Sequence, residues 1–312
     1  MTNLEVAIAS AEGVLDRDGL QTWYRIVGDL DAASGLTPVV IAHGGPGATH
    51  DYLEPLSELA RGGRACVFYD QVGCGRSSHH REVPRGFWTV ELFVRELEAL
   101  LAHLGLDRYH LLGQSWGAML GLEHALRRPM GLQSLVLANG MASVSRYVEE
   151  NAKLLRALPG GAGDALVAHG AAGTTGDLEF QSAIELYSRR HRLRLDETPE
   201  PLQRTQHAIE DDDTVYAATI GSEFHITGTL RGWDVTYRLD EIDVPTLIIT
   251  GGHDELPPSL AVDMQRGISG SKLVIFEEAS HMTHLEEPER FLDTVEQFLT
   301  RIESEPEPGE QS

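Results

Sequence analysis

The chain is poor in cysteine, in basic charge and in long apolar runs. With only Cys66 and Cys74 among 312 residues, a disulfide framework is not expected; the two thiols fall in an expected strand and the loop after it. No stretch approaches the roughly 20 consecutive apolar residues of a membrane span, so no membrane partner is expected. The first residues, Met-Thr-Asn-Leu-Glu-Val, carry Glu5 and no basic leader, which argues against a secretory signal and for a cytoplasmic protein. Twenty-five Lys and Arg face 48 Asp and Glu, a net charge of −23, and such a polyanion repels nucleic acid. The same charge confers solubility and could draw cationic substrates to an acidic cleft. Metal-ligand spacing is also missing: His79-His80 and Asp211-Asp212-Asp213 match no known pattern and read as solvated loops. Gly73-Cys74-Gly75 lacks the continuation of a nucleotide-binding loop. The basic stretch Ser188-Arg189-Arg190-His191-Arg192-Leu193-Arg194 reads as a solvated helix face.

What is present is a strand-helix rhythm. Residues 13–27 suggest two antiparallel strands around Asp18-Gly19. The short apolar runs Val39-Val40-Ile41-Ala42, Ala65-Cys66-Val67-Phe68-Tyr69, His110-Leu111-Leu112 and Leu135-Val136-Leu137-Ala138 have the pattern of fully buried parallel strands. Helical patterns lie between them, the clearest starting near Thr89, placing Phe93, Leu97, Leu100 and Leu104 on one face and ending at Gly105. Such alternation predicts an α/β fold with a mostly parallel sheet and helices on both faces. Residues 141–238 break the rhythm with long helical stretches, and strands resume near 245. The expected organisation is a core of 1–140 and 239–302, a helical cap inserted at 141–238, and a disordered acidic tail at 303–312.

The chemistry centres on Gly113-Gln114-Ser115-Trp116-Gly117, which follows an apolar strand and opens a helix. Glycines two residues either side of a serine permit a sharp strand-to-helix turn that presents the hydroxyl to a substrate. Serine needs a base, and the base an acid, in the chain order Ser, Asp, His. Asp254 follows the strand at 247–250 and His281 follows the strand at 273–276, so Ser115, Asp254 and His281 are the expected nucleophile, orienting acid and base. His284 is the weaker alternative base, and Asp240 and Asp243 precede their strand, at the wrong end of the sheet. A developing oxyanion needs preset donors. The backbone N–H groups of Trp116 and of Gly45, in the loop His43-Gly44-Gly45-Pro46-Gly47, are the expected pair.

Three segments, His43 to Gly47, Tyr69-Asp70-Gln71-Val72-Gly73-Cys74-Gly75-Arg76-Ser77 and Gly113 to Gly117, join Gly221-Ser222-Glu223-Phe224-His225-Ile226-Thr227-Gly228-Thr229-Leu230 with Trp233-Asp234 in a shared pattern. Together they resemble the proline iminopeptidase family of α/β-hydrolases, and its tricorn-associated aminopeptidase branch in particular. The resemblance implies an α/β-hydrolase core with a helical cap, and a serine aminopeptidase using neither metal nor other cofactor. Its implied substrates are short peptides or aminoacyl amides and esters with a free N-terminus. It also implies that Glu223 and Glu255 bind the substrate's α-amino group. Gly44 counts with the substrate-binding residues, and Phe224 and Trp116 could supply apolar walls, although aromatic side chains more often serve as core. An amidase or esterase on free-amine substrates, a carboxylesterase without amine recognition and a non-catalytic binding protein remain open. Preferred first residue and oligomeric state stay undetermined.

Overall fold

The computed structural model describes residues 8–31, 34–222 and 224–304. Glu223 and the tail beyond residue 304 lie outside the described residues. Eight strands form the central sheet: β1 (Ser10–Arg17), β2 (Leu20–Val27), β3 (Val39–Ala42), β4 (Cys66–Tyr69), β5 (Tyr109–Gln114), β6 (Leu132–Ala138), and, after the short pair β7 (Gly221–Ser222) and β8 (His225–Ile226), β9 (Thr246–Gly251) and β10 (Lys272–Phe276). Their order is β1-β2-β4-β3-β5-β6-β9-β10. The contacts of β2 with β1 and β4 are antiparallel, and every other pairing in this sheet is parallel. The expected hairpin at the amino-terminal end is therefore present, its turn held by Gly19 N–H donating to Asp16 Oδ1.

Burial of both faces explains the unbroken apolar runs. Within β3, Val40 and Ala42 face one layer with Phe93, Leu97 and Leu111, whereas Val39 and Ile41 face the other with Phe68, Leu112 and Phe291. The first layer includes α1 (Val90–His103) and α2 (Trp116–Ala125). Thr89 caps α1 by accepting the Leu92 N–H, as its position before the apolar period suggests. Between β6 and β9 come α3 (Val144–Ala157), α4 (Ala162–Ala172), α5 (Leu178–His191), α6 (Glu200–Asp211) and α7 (Thr214–Thr219). These form the helical insert, with an apolar cluster of their own that includes Leu155, Leu166, Phe180 and Tyr187. After β9 come α8 (Pro258–Gly267), then α9 (Thr283–Glu286) and α10 (Pro288–Ser304) following β10. Among the described residues, no helix is long and apolar enough to cross a membrane.

Polar clusters anchor the insert on the core. Arg204 of α6 pairs with Asp51 at 3.0 Å and also with Glu54, and Thr205 shares a hydrogen bond with Thr49 at 2.9 Å. Two segments expected to be separate solvated loops instead meet. His79 Nδ1 and Arg81 Nε both donate to Asp212 Oδ2, at 2.6 and 2.9 Å, and Asp212 is buried. Charge complementarity across the seam, invisible in either segment alone, is the reason.

The expected tail boundary at 303 is also corrected. α10 continues through Ser304, because Glu303 is the partner of a fully buried arginine, Arg64. Arg64 donates twice to Glu303, at 2.7 and 2.8 Å, and once to Thr37 O at 2.6 Å. Burial opposes charge on Glu303, but the bonds and charge of Arg64 outweigh it, together with His110 and the Thr37 N–H. The Glu303 carboxyl is thereby held far below the ordinary carboxylate range. Glu303→Gln should therefore lower stability by about 3 kcal/mol at pH 7, since it leaves the guanidinium underpaired in the interior. Because the folded pKa is depressed, the contribution is complete above the unfolded value of about 4.3 and is lost as pH falls below it. Urea unfolding of both proteins at pH 7 and pH 3.5 checks this: the gap between them should narrow at the lower pH.

Candidate active site

Ser115 sits between the last residue of β5 and the first of α2 with φ 57° and ψ −119°, a backbone conformation that non-glycine residues rarely hold. The flanking glycines are required by contact. A Cβ on Gly113 would lie 2.0 Å from the Gly117 carbonyl oxygen, and one on Gly117 would lie 2.1 Å from the Ala42 carbonyl oxygen. The turn can tighten only without those side chains, and it leaves Ser115 half-buried at the carboxyl end of the sheet.

The structure brings the three expected residues into one hydrogen-bonded line. Ser115 Oγ is 3.0 Å from His281 Nε2, and His281 Nδ1 is 2.8 Å from Asp254 Oδ1. With Nδ1–H donating to the carboxylate, Nε2 presents its lone pair to the serine hydroxyl. Asp254 is buried and further held by the Leu256 N–H on Oδ1 at 2.9 Å and by Asn139 Nδ2 on Oδ2 at 2.7 Å. Asn139 is a residue that sequence reasoning missed. It follows β6 with φ 51°, donates also to Ser280 O, and accepts from Thr283 Oγ1 at 2.7 Å. Only the strand order, with β6 between β5 and β9, reveals that the end of β6 must lie between serine and acid.

The loop His43 to Gly47 lies against the same turn. A Cβ on Gly44 would come within 3.0 Å of Ser115 Cβ, and Gly45 has φ 109°, so side chains are excluded beside Ser115. Gly44 N–H donates to Tyr52 Oη at 2.8 Å, Tyr52 O–H to Gln114 Oε1 at 2.6 Å, and Gln114 Nε2 to His281 O at 3.0 Å. One chain of bonds thus ties the glycine loop, the turn and the histidine loop together. On its other side Trp116 Nε1 donates to Gln71 Oε1 at 2.8 Å, and Gln71 Nε2 to His43 O at 3.1 Å. The Trp116 indole packs edge-on against Phe93 and is only 2% exposed, so it is part of the buried core.

Glu255 is brought to the same place, its Oε1 3.8 Å from His281 Nε2 and its Oε2 2.9 Å from Arg192 Nε. Phe224 packs edge-on against Tyr187 at 5.2 Å and, with Tyr216, lines a cleft of about 450 Å³. Glu223 lies outside the described residues. The basic stretch at the end of α5 divides in two: Arg189 and Arg190 are exposed as expected, but the next turn is not a solvated face. His191 O accepts both the Glu255 N–H, at 3.0 Å, and the His281 N–H, at 3.2 Å, and so joins the insert to both functional loops.

Burial opposes protonation of His281, yet the adjacent Asp254, through charge and hydrogen bond, with Glu255 beyond it, raises its pKa above the ordinary value. His284 is different. Burial without a carboxylate drives it down to about 3, and its Nε2 is engaged with Tyr52 O at 3.1 Å. Among the described residues, His50, Asp51 and Glu54 converge closely enough to suggest a cation site. Arg25 and Arg204 pair with Glu54, and Arg204 and Arg76 with Asp51, so the local negative charge is already matched.

A serine on a strained strand-to-helix turn, followed in chain order by an aspartate and a histidine at strand ends, defines an α/β-hydrolase, and the model of the alpha/beta hydrolase fold family matches residues 37–288. The proline iminopeptidase of Saccharolobus solfataricus is 37% identical over 287 residues, covering 92% of this chain and 91% of that protein. That of Lactobacillus helveticus is 36% identical over 292 residues, covering 92% and 97%. Among solved structures, VinJ matches with a TM-score of 0.90 at 42% identity, covering 94% of this chain and 99% of that one. The Mycobacterium smegmatis proline iminopeptidase matches with 0.88 at 39%, covering 94% and 98%. The chain belongs to the proline iminopeptidase family, the serine aminopeptidases of the α/β-hydrolase fold.

The environment of His281 sets a measurable expectation. Its ring should titrate above about 6.5 in the free protein, followed by NMR of the ring carbon resonances. Asp254→Asn should bring it below that value, because burial then acts with far less opposition. An unchanged titration in the variant would refute the assignment of the cause.

Proposed function

We propose that the protein is a serine aminopeptidase that releases N-terminal amino acids, proline or a broader set, from short peptides and from aminoacyl amides. The observation that carries this reading is Glu255 Oε1 lying 3.8 Å from the same His281 Nε2 that is 3.0 Å from Ser115 Oγ. A carboxylate so near His281 can hold an α-ammonium two bonds away from the carbonyl carbon under attack. Glu223 is proposed as its companion, from the family resemblance. An amino-acid amidase or esterase would use the same residues, because the acyl group and not the leaving group is what they hold.

In the proposed reaction the α-ammonium docks on Glu255 and Glu223, which sets the scissile carbonyl against Ser115. His281 takes the hydroxyl proton on Nε2 while Oγ adds to the carbonyl carbon, and Asp254 stabilises the imidazolium. The oxyanion accepts hydrogen bonds from the N–H groups of Gly45 and Trp116; losing one such donor typically costs about 100-fold or more in rate. His281 then protonates the leaving amine, the C–N bond breaks, and the aminoacyl-serine ester remains. Water, deprotonated by His281, cleaves that ester and restores the hydroxyl. Gly44, Gly45 and Phe224 are the proposed neighbours of the acyl group.

Kinetics on L-alanine and L-proline p-nitroanilides test the reading. Ser115→Ala should lose at least about 10⁴-fold in kcat with the fold intact. Glu255→Gln should lose on the order of 100-fold in kcat/KM on these substrates, and N-acetylated versions should be poor substrates of the wild type. Since the base must be neutral and its pKa is raised, kcat/KM should rise with pH through a value above about 6.5. Equal turnover of free and N-acetylated substrates would replace this reading with a carboxylesterase.

A further inference from the structure

One charged group from the insert reaches the same spot as the proposed ammonium site. Arg192 is the C-cap residue of α5, and its Nε donates to Glu255 Oε2 at 2.9 Å. Both side chains are sheltered, 24% and 12% exposed. The guanidinium lies over the Tyr187 ring, 5.4 Å from its centroid. That ring is itself fixed: Asn151 Nδ2 donates to Tyr187 Oη at 2.5 Å and to Glu255 O at 3.1 Å. One amide thus orders both the aromatic seat of the cation and the backbone of its carboxylate partner. Arg192 is a built component of the pocket.

A carboxylate in contact with a guanidinium offers much less net negative charge to a third group. An ammonium ion held by Glu255 Oε1 would lie roughly 5–7 Å from the guanidinium. In a partly screened pocket, like charges at that distance weaken binding on the order of tenfold. Glu255 Oε1, the oxygen turned toward His281, stays available, so the pocket keeps its ability to hold one ammonium while losing its general attraction for cations.

We propose that Arg192 is a specificity-determining residue: it offsets the charge of Glu255 so that the pocket accepts a single ammonium group and discriminates against substrates bearing a second positive charge on the first residue. The inference rests on the aminopeptidase reading of Glu255. It differs from a purely structural role in a definite way, since a charge effect must distinguish substrates by their charge.

The test measures kcat and KM of the wild type, Arg192→Leu and Arg192→Lys on L-alanine p-nitroanilide, L-lysine p-nitroanilide and the amine-free p-nitroanilide of propionate. Arg192→Leu should lower KM for the alanine substrate on the order of tenfold and for the lysine substrate by more, with KM for propionate unchanged and kcat within about twofold. Arg192→Lys, which keeps the charge, should stay near the wild type. Should the leucine variant not fold, as judged by circular dichroism, Arg192→Gln carries the same expectation. A KM that shifts equally for all three substrates, rises for alanine, or stays unchanged overturns the proposal. Glu255→Gln separates the two levels: if it leaves the preference for alanine over propionate intact, the amine reading falls and this inference with it. If it abolishes that preference while Arg192→Leu changes nothing, only the role of Arg192 is overturned.

Discussion

The backbone of Ser115 is the constraint on which the rest of the site depends. A non-glycine residue at φ 57° and ψ −119° costs about 1–3 kcal/mol, and it persists only where the surroundings over-determine it. They do so from three sides. The Ser115 N–H donates to Ala138 O at 2.9 Å across the β5–β6 boundary, Gly113 lies against the backbone of Gly117, and Gly117 lies against Ala42 and His43. The strain therefore rests on the parallel core strands and not on a loop, and the hydroxyl is held where His281 can reach it without rearrangement.

The partners of Ser115 are held by the same logic of shared carriers. Asn139 ties Asp254 to the loop that bears His281, Gln114 ties the histidine loop to Tyr52, and Tyr52 ties both to Gly44. Each polar group is buried with a partner, the condition under which such networks hold one geometry instead of several. The insert is joined to this frame at His191, whose carbonyl accepts from Glu255 and His281 alike. Movement of the insert would thus be felt at the proposed amine site and at His281 together.

Much of this was legible in the residues because it is local. The strand-helix rhythm, the Thr89 cap, the turn at Ser115 and the positions of Asp254 and His281 after their strands all depend on spacing that a linear sequence displays. Asn139, Tyr52 and Arg192 were not legible, and for one reason: each acts on a residue more than 60 positions away, and no local pattern marks it. The same reason explains the readings that had to be changed. Asp212 looked solvated until His79 arrived beside it, and Glu303 looked like a tail residue until Arg64 was found beneath it.

The central claim is that Ser115 carries an aminoacyl group during turnover and that a free amine selects that group. Intact-protein mass spectrometry after acid quench of the reaction with L-alanine p-nitroanilide tests it most directly, with peptide mapping to locate any adduct. The account predicts an alanyl ester on the peptide bearing Ser115, formed before steady state and absent when the N-acetylated substrate is used. An adduct on another residue, or an acetylalanyl ester formed just as readily on Ser115, would contradict it.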